Sequence, residues 1–310
     1  MSKIIKIGTR DSELALWQAH TVQNKLHALG YQTEIIAVKS TGDLILDKPL
    51  YELGITGIFT KTLDIAMLNG EVDIAVHSMK DVPTALPKGI VQAAVLERAT
   101  TLDILVHKGD LTFTEKAENI GTIATGSLRR KAQWLHRFSN HQVVDLRGNV
   151  NTRLQKLKDN SWNGAIFAAA GLERINLKPE QFINLDWMIP APAQGAMVVV
   201  AMENDPFSRA ALAQLNNQEA TICTHIERQF LKVLEGGCSA PIGALATLNH
   251  QENTIHFKGV LFSLDGTKKL SIEKEINSDL YQNFGELCAI EILNNGGSDL
   301  MQTIKNSLEK

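Results

Sequence analysis

Cysteine is scarce. Cys223, Cys238 and Cys288 are the only three in 310 residues. An odd, widely spaced trio with no CxxC pair excludes a disulfide framework and argues against a structural zinc site. That usage reads as a reducing compartment, so a cytoplasmic protein is expected. With no HExxH and no dense His/Asp cluster, no metal is expected either. Aromatic residues are only 5%, with four Trp and three Tyr. That is a poor supply of stacking platforms for single-stranded nucleic acid. Neither charge sign dominates: 31 basic residues meet 34 acidic ones, a net charge of −3, and nucleic-acid binders are normally basic. No uncharged apolar run reaches the roughly 18 residues of a membrane span. The run Lys3-Ile4-Ile5-Lys6-Ile7 is too short for a signal-peptide core.

What is present is an ordinary globular composition, 44% hydrophobic and 21% charged. The length suffices for two or three domains with full cores. Short β-branched runs alternate with amphipathic helical patterns. Ile4 to Ile7 reads as a strand, and Ser12 as the N-cap of a helix reaching Leu29-Gly30. Thr33 to Val38 and Val72 to Val76 read as strands around a helix over Phe59 to Leu68. The alternation recurs at Ile120 to Ala124, Val143 to Leu146 and Ala165 to Ala169, each strand opening into a helix. This predicts α/β architecture with largely parallel strands. After Glu219 the character changes: a helix to Leu234, three strands with a hairpin signal at Asp265-Gly266, and two final helices predict a small α+β domain.

Three groups of residues invite a chemical reading. Arg129, Arg130, Arg147 and Arg153 fall at strand-to-helix junctions, where guanidinium forks and helix N-termini together suit a ligand with several negative charges. Solvated surface arginines are the plainer reading. His77-Ser78-Met79-Lys80-Asp81 ends a strand just before Val82-Pro83. A carboxylate held there is suited to stabilising a cationic intermediate or moving a proton, or it merely ends a polar turn. Cys238 follows Gly236-Gly237 on a loop, either as a nucleophile or as an inert thiol. Cys223 and Cys288 sit in helical patterns as small core residues. Gly54 and Gly57 suggest a mobile loop, and Pro190 to Gly195 a rigid connector leading back to a strand of the first domain.

In combination these blocks resemble the porphobilinogen deaminase (hydroxymethylbilane synthase) family over essentially the whole chain. The resemblance rests on Gly8-Thr9-Arg10 with Ser12, Leu14 to Ala19, Gly42-Asp43 and Asp73 to Pro83. It continues through Gly126-Ser127-Leu128-Arg129-Arg130, Leu146 to Val150 with Arg153, Ala170-Gly171-Leu172 with Arg174, and Glu235-Gly236-Gly237-Cys238. It implies an α/β fold: two periplasmic-binding-protein-like lobes around a cleft plus a small C-terminal α+β domain. The boundaries expected are 1–97 with 196–216, 98–195 and 217–310.

The resemblance also implies a transferase of porphyrin (haem) biosynthesis. Four porphobilinogen molecules lose ammonia and join a dipyrromethane primer, and hydrolysis releases linear hydroxymethylbilane. By motif position Cys238 carries the dipyrromethane cofactor as a thioether, and Asp81 is the catalytic aspartate. Ser78, Lys80, Asp81, Thr125, Ser127, Arg129, Arg130 and Arg147 match cofactor-binding positions. Arg10, Ser12, Gln18, Arg147, Arg153 and Arg174 match substrate-binding positions. A monomer is implied, with no nucleic-acid or membrane partner. Two departures stand out: Thr56 replaces the family's loop lysine, with Lys61 the candidate substitute, and Gly126 replaces the first serine of Ser-Ser-Leu-Arg-Arg. The rival classes are a two-lobed anion-binding protein without turnover and an effector-binding domain of a regulator. Only the enzyme requires a pyrrole adduct on Cys238.

Overall fold

A computed structural model describes residues 3–39, 59–116, 118–234 and 240–308. Among them are thirteen strands in three sheets. In chain order these are β1 (Ile5–Arg10), β2 (Thr33–Val38), β3 (Ile74–Ser78), β4 (Ile90–Val95), β5 (Asp103–His107), β6 (Thr122–Ala124), β7 (Gln142–Val144), β8 (Gly164–Ala168), β9 (Phe182–Asn184), β10 (Met197–Met202), β11 (Ile242–Asn249), β12 (Thr254–Phe262) and β13 (Lys269–Asn277). The chain divides into two compact units. One comprises Met1–Leu46, Ile55–Ala99 and Gln194–Ile222; the other is chiefly Thr100–Ala193 and Cys223–Lys310.

The first unit holds a sheet of order β2-β1-β3-β10-β4. Ile5 and Ile7 point to one face, where the helix Glu13–Ala28 lays Ala19, Val22 and Leu26 on them; all five are fully buried. Those three recur at helical spacing, so one stripe of the helix suffices. On the other face Gly8 lets the helix Lys61–Leu68 come close: a Cβ there would lie 2.9 Å from Val72 and 3.1 Å from Leu63.

The second unit repeats the topology as β7-β6-β8-β5-β9. Period-two alternation sends Ile104, Val106, Ala165 and Phe167 to one core, and Leu105, Ile123 and Ile166 to another built on Trp134 and Phe138. A sheet buried on both faces needs apolar residues at nearly every strand position, which explains the continuous apolar runs. The same unit contains the antiparallel sheet β11-β12-β13. Gly259 of β12 makes room for Phe230 of the helix Gln218–Val233; a Cβ there would be 2.6 Å from the ring. Cys223 and Cys288 are buried, and burial pushes the Cys288 thiol up to about 11. Both are core residues, as expected.

The expectation of largely parallel strands needs correction. β1–β2, β1–β3, β6–β7 and β6–β8 are parallel, but β10 is antiparallel to β3 and β4, and β5 to β8 and β9. Parallel neighbours need a crossover, usually helical. β5 and β10 each arrive from the other sheet on a connection that wraps no helix across the sheet they join, so nothing imposes the parallel direction. The Pro190 to Gly195 connector does lead into β10, beside β3. Strands β4, β5 and β9 and the helix Pro206–Ala213 were not foreseen. β3 runs on to include His77 and Ser78, and β7 ends at Val144, short of Leu146.

Candidate active site

In the first unit the candidate residues Arg10, Ser12, Gln18, Ser78, Lys80 and Asp81 lie on β1 and β3 or on the helix and turn that follow them. Gly8 is paired with Ala75, and that register carried forward brings Arg10 abreast of His77. The Arg10 guanidinium lies 4.5 Å from the centre of the Phe59 ring. His77 is buried, and its Nε2 has no hydrogen-bond partner among the described residues. Burial, aided by the Arg10 charge, pushes its pKa down to about 4, so the ring is neutral at neutral pH. Ser12 caps the helix Glu13–Ala28, accepting the Ala15 N–H at 3.4 Å. Gln18, nearly fully buried on that helix, donates from Nε2 to Ser78 Oγ at 2.9 Å.

After β3 the chain makes one 3₁₀ turn, Met79–Asp81. Met79 is buried, and its N–H donates to the Ala196 carbonyl at 3.0 Å. The Val82 N–H closes the turn on the Met79 carbonyl at 3.2 Å, and Pro83 ends it. A turn pinned at both ends holds Lys80 and Asp81 at the strand terminus, each only partly exposed. Lys80 Nζ donates to Gln194 Oε1 at 3.1 Å, and Arg98 Nε donates to the Gln194 carbonyl at 2.9 Å. Gln194 and Arg98 were not singled out from the sequence. Gln194's place in the rigid connector was the available signal.

In the second unit the ends of β6, β7 and β8 carry the arginines. Thr125 Oγ1 accepts the Ser127 N–H at 3.3 Å, and Ser127 Oγ caps the helix Leu128–Arg137 through the Arg130 N–H at 3.4 Å. Arg129 and Arg130 are buried on the fully buried Asp103. Arg129 Nη1 donates to Asp103 Oδ2 at 2.7 Å and to the Ile189 carbonyl at 2.8 Å. Arg130 gives Nε and Nη2 to Asp103 Oδ1 at 3.0 and 2.8 Å, and Nη1 to the Ile166 carbonyl at 3.1 Å. The surface-arginine reading fails for both. Asp103 was missed; its signal was a lone acid opening the apolar run Ile104-Leu105-Val106.

Arg147 is buried too, at the end of the β7 segment. Gly148 follows with φ +112°, in the left-handed region where glycine is at home. Asn149 caps the helix Val150–Asp159, and Arg153 Nε donates back to the Gly148 carbonyl at 2.7 Å. Arg174 follows the short helix Ala169–Glu173, and burial pushes its pKa down to about 10. Arg129 and Arg130 share the one carboxylate of Asp103, so this buried trio keeps one net positive charge, and Arg147 is a third buried guanidinium. With the Thr125 and Ser127 hydroxyls, that donor set fits a group bearing several carboxylates.

Two family models match successive stretches of the chain. The model described as porphobilinogen deaminase, dipyromethane cofactor binding domain, matches residues 5–210, and that described as porphobilinogen deaminase, C-terminal domain, matches residues 221–294. The chain belongs to the porphobilinogen deaminase family. Porphobilinogen deaminase of Campylobacter hominis is 38% identical over 303 residues, 96% of this chain and 97% of that one. That of Desulfitobacterium hafniense is 39% identical over 310 residues, 99% of each. A probable porphobilinogen deaminase of Methanocaldococcus jannaschii is 40% identical over 278 residues, 89% of this chain and 94% of that one. Among solved structures, an ancestral cationic amino acid solute binding protein gives a TM-score of 0.44 at 11% identity over 68% of this chain and 87% of that one.

Gly126, one of the two departures from the porphobilinogen deaminase pattern, has a local explanation. A Cβ at this position would lie 2.5 Å from the Leu146 carbonyl oxygen, so β6 and the segment leading to Arg147 approach more closely than a serine permits. Cys238, Gly42-Asp43 and the loop residues Gly54, Thr56 and Gly57 lie outside the described residues. Lys61, exposed, opens the helix Lys61–Leu68. No group of three or more His, Cys, Asp or Glu among the described residues could hold a metal, and no helix there is long and apolar enough to cross a membrane.

Proposed function

We propose that this chain is a hydroxymethylbilane synthase that joins four porphobilinogens, each losing ammonia, on a dipyrromethane attached through Cys238, and then releases the linear tetrapyrrole by hydrolysis. The observation that carries this is the dipyromethane-cofactor-domain match over residues 5–210, which spans Asp81 and every arginine discussed above. When attached, the dipyrromethane supplies the pyrrole α-carbon to which the first substrate is joined.

The chain's own residues have distinct tasks in this reading. Asp81, on its pinned turn, is the carboxylate that faces the substrate pyrrole N–H and stabilises positive charge as the aminomethyl C–N bond breaks and ammonia departs. Lys80, oriented by Gln194, and Ser78, held by Gln18, bind cofactor carboxylates beside it. Thr125, Ser127, Arg129, Arg130 and Arg147 bind the remaining cofactor carboxylates. Arg10, Ser12, Gln18, Arg153 and Arg174, with Arg147, take the acetate and propionate arms of incoming substrate. Each porphobilinogen brings two carboxylates, so the surplus of buried guanidinium charge suits a growing polyanion.

The reading includes three domains, 1–97 with 196–216, 98–195 and 217–310. Three separate sheets and a break between family models at residues 210 and 221 support that division. It also includes a cytoplasmic monomer with no nucleic-acid or membrane partner. Intact mass spectrometry beside Cys238→Ser tests the whole. The wild type should exceed its chain mass by two porphobilinogens less two ammonias, and the variant should not. A wild type that stays unmodified after incubation with porphobilinogen would return the chain to the class of non-covalent anion binders.

A further inference from the structure

The second unit contains a recess of about 410 Å³ between the helix Leu128–Arg137 and strands β12 and β13, lined by none of the residues assigned to the reaction. Ligand pockets span about 300–1,000 Å³. Trp187, Ile189, Val260, Phe262 and Ile272 supply its apolar surface. Arg137, Lys258, Lys269 and Glu273 also line it, three cations to one carboxylate, in a chain whose net charge is −3.

That carboxylate is already engaged. Glu273 Oε1 takes Lys258 Nζ at 3.0 Å and His256 Nε2 at 2.9 Å, and the Lys258 hydrogen bond leads in holding it below the usual carboxylate range. Arg137 and Lys269 make no ion pair among the described residues. The Arg137 guanidinium instead lies 4.9 Å from the centre of the Trp187 ring, and the Lys269 ammonium 6.0 Å from that of Phe262. Arg137 and Lys269 therefore each sit beside an aromatic ring with no carboxylate partner among the described residues. A flat aromatic ligand can cover the apolar surface while its own carboxylate meets the guanidinium fork.

The walls are also held in place. Gln133 ties the helix to Ile189 twice, donating from Nε2 to its carbonyl at 2.9 Å and accepting its N–H at 2.8 Å. His136 Nδ1 lies 2.8 Å from the Gly266 carbonyl oxygen. Gly266 itself packs so closely that a Cβ would fall 2.4 Å from the Ala132 oxygen. A recess with walls fixed in this way needs little ordering when a ligand enters.

We propose that this recess binds a planar aromatic anion, a flat ring system bearing at least one carboxylate, with its ring on the Trp187–Ile189–Phe262 surface and its carboxylate between Arg137 and Lys269. Calorimetric titration of the holoenzyme with 2-naphthoate tests this, with neutral naphthalene-2-carboxamide as the control. Saturable single-site binding is expected, weakened about tenfold or more for the carboxamide and in Arg137→Gln/Lys269→Gln. Porphobilinogen turnover in that variant should be unchanged, which establishes that it folds. Glu273→Gln, which frees Lys258, should bind about threefold more tightly. The proposal is overturned by no saturable heat up to about 2 mM, by equal affinity for the carboxamide, or by undiminished binding in the double variant, which would put the ligand elsewhere, for instance on the strand-end arginines.

Discussion

Arg130 gives two of its nitrogens, Nε and Nη2, to one oxygen of Asp103, while Arg129 takes the other oxygen. One buried carboxylate thus fixes two consecutive guanidiniums at the start of a helix. Their planes are set before any ligand arrives, and the trio keeps a net positive charge.

Removing that carboxylate leaves two buried cations uncompensated. Asp103→Asn should lower unfolding free energy by about 3–5 kcal/mol, the usual penalty for breaking a buried pair. Urea denaturation of the variant beside wild type measures it. A loss below about 1 kcal/mol would mean that the arginines find other partners or water.

Asp81 tests the chemistry rather than the fold. Asp81→Asn preserves shape and removes charge, so the variant should retain its covalent pyrrole adduct by mass spectrometry while losing turnover by roughly a hundredfold or more. Wild-type turnover would remove Asp81 from the mechanism.

Gly126 tests the one departure in the arginine block that the structure describes. Gly126→Ser restores the family's usual residue but forces its Cβ against the Leu146 carbonyl, 2.5 Å away in the present backbone. The expected cost is about 1–3 kcal/mol, as for overpacking, together with weaker carboxylate binding through the displaced Arg147. A melting temperature and KM equal to wild type would show that this backbone yields freely.

His77 predicts a pH effect with a definite sign. Its pKa falls from 6.5 in the free side chain to about 4 in the fold, so between those values the unfolded chain binds a proton that the native protein refuses. Its contribution is fully present above pH 6.5 and is lost as pH falls towards 4, roughly 3 kcal/mol in all. Denaturation at pH 7.5 and 4.5 should therefore show a smaller loss for His77→Leu than for wild type. Equal losses would show that the ring is protonated without penalty.

Much of this protein was legible in the residues themselves. Helical spacing of Ala19, Val22 and Leu26, the cap at Ser12 and the turn before Pro83 are local features. Local sterics and hydrogen bonding suffice to impose them, and the structure has them. The succession of arginine and cysteine blocks was legible too, as a resemblance to the porphobilinogen deaminase family that runs along the chain. What the chain alone could not show was strand direction and pairing. β5 and β10 run against their neighbours because of where their connections come from, and that depends on the whole path. Nor could it show that Asp103, about 26 residues upstream, neutralises part of the arginine pair, or that Gln194, 114 residues downstream, orients Lys80. Burial of charge and contacts across long separations belong to the packed state, where desolvation makes each unpaired group costly, and only the tertiary fold decides which partner is within reach.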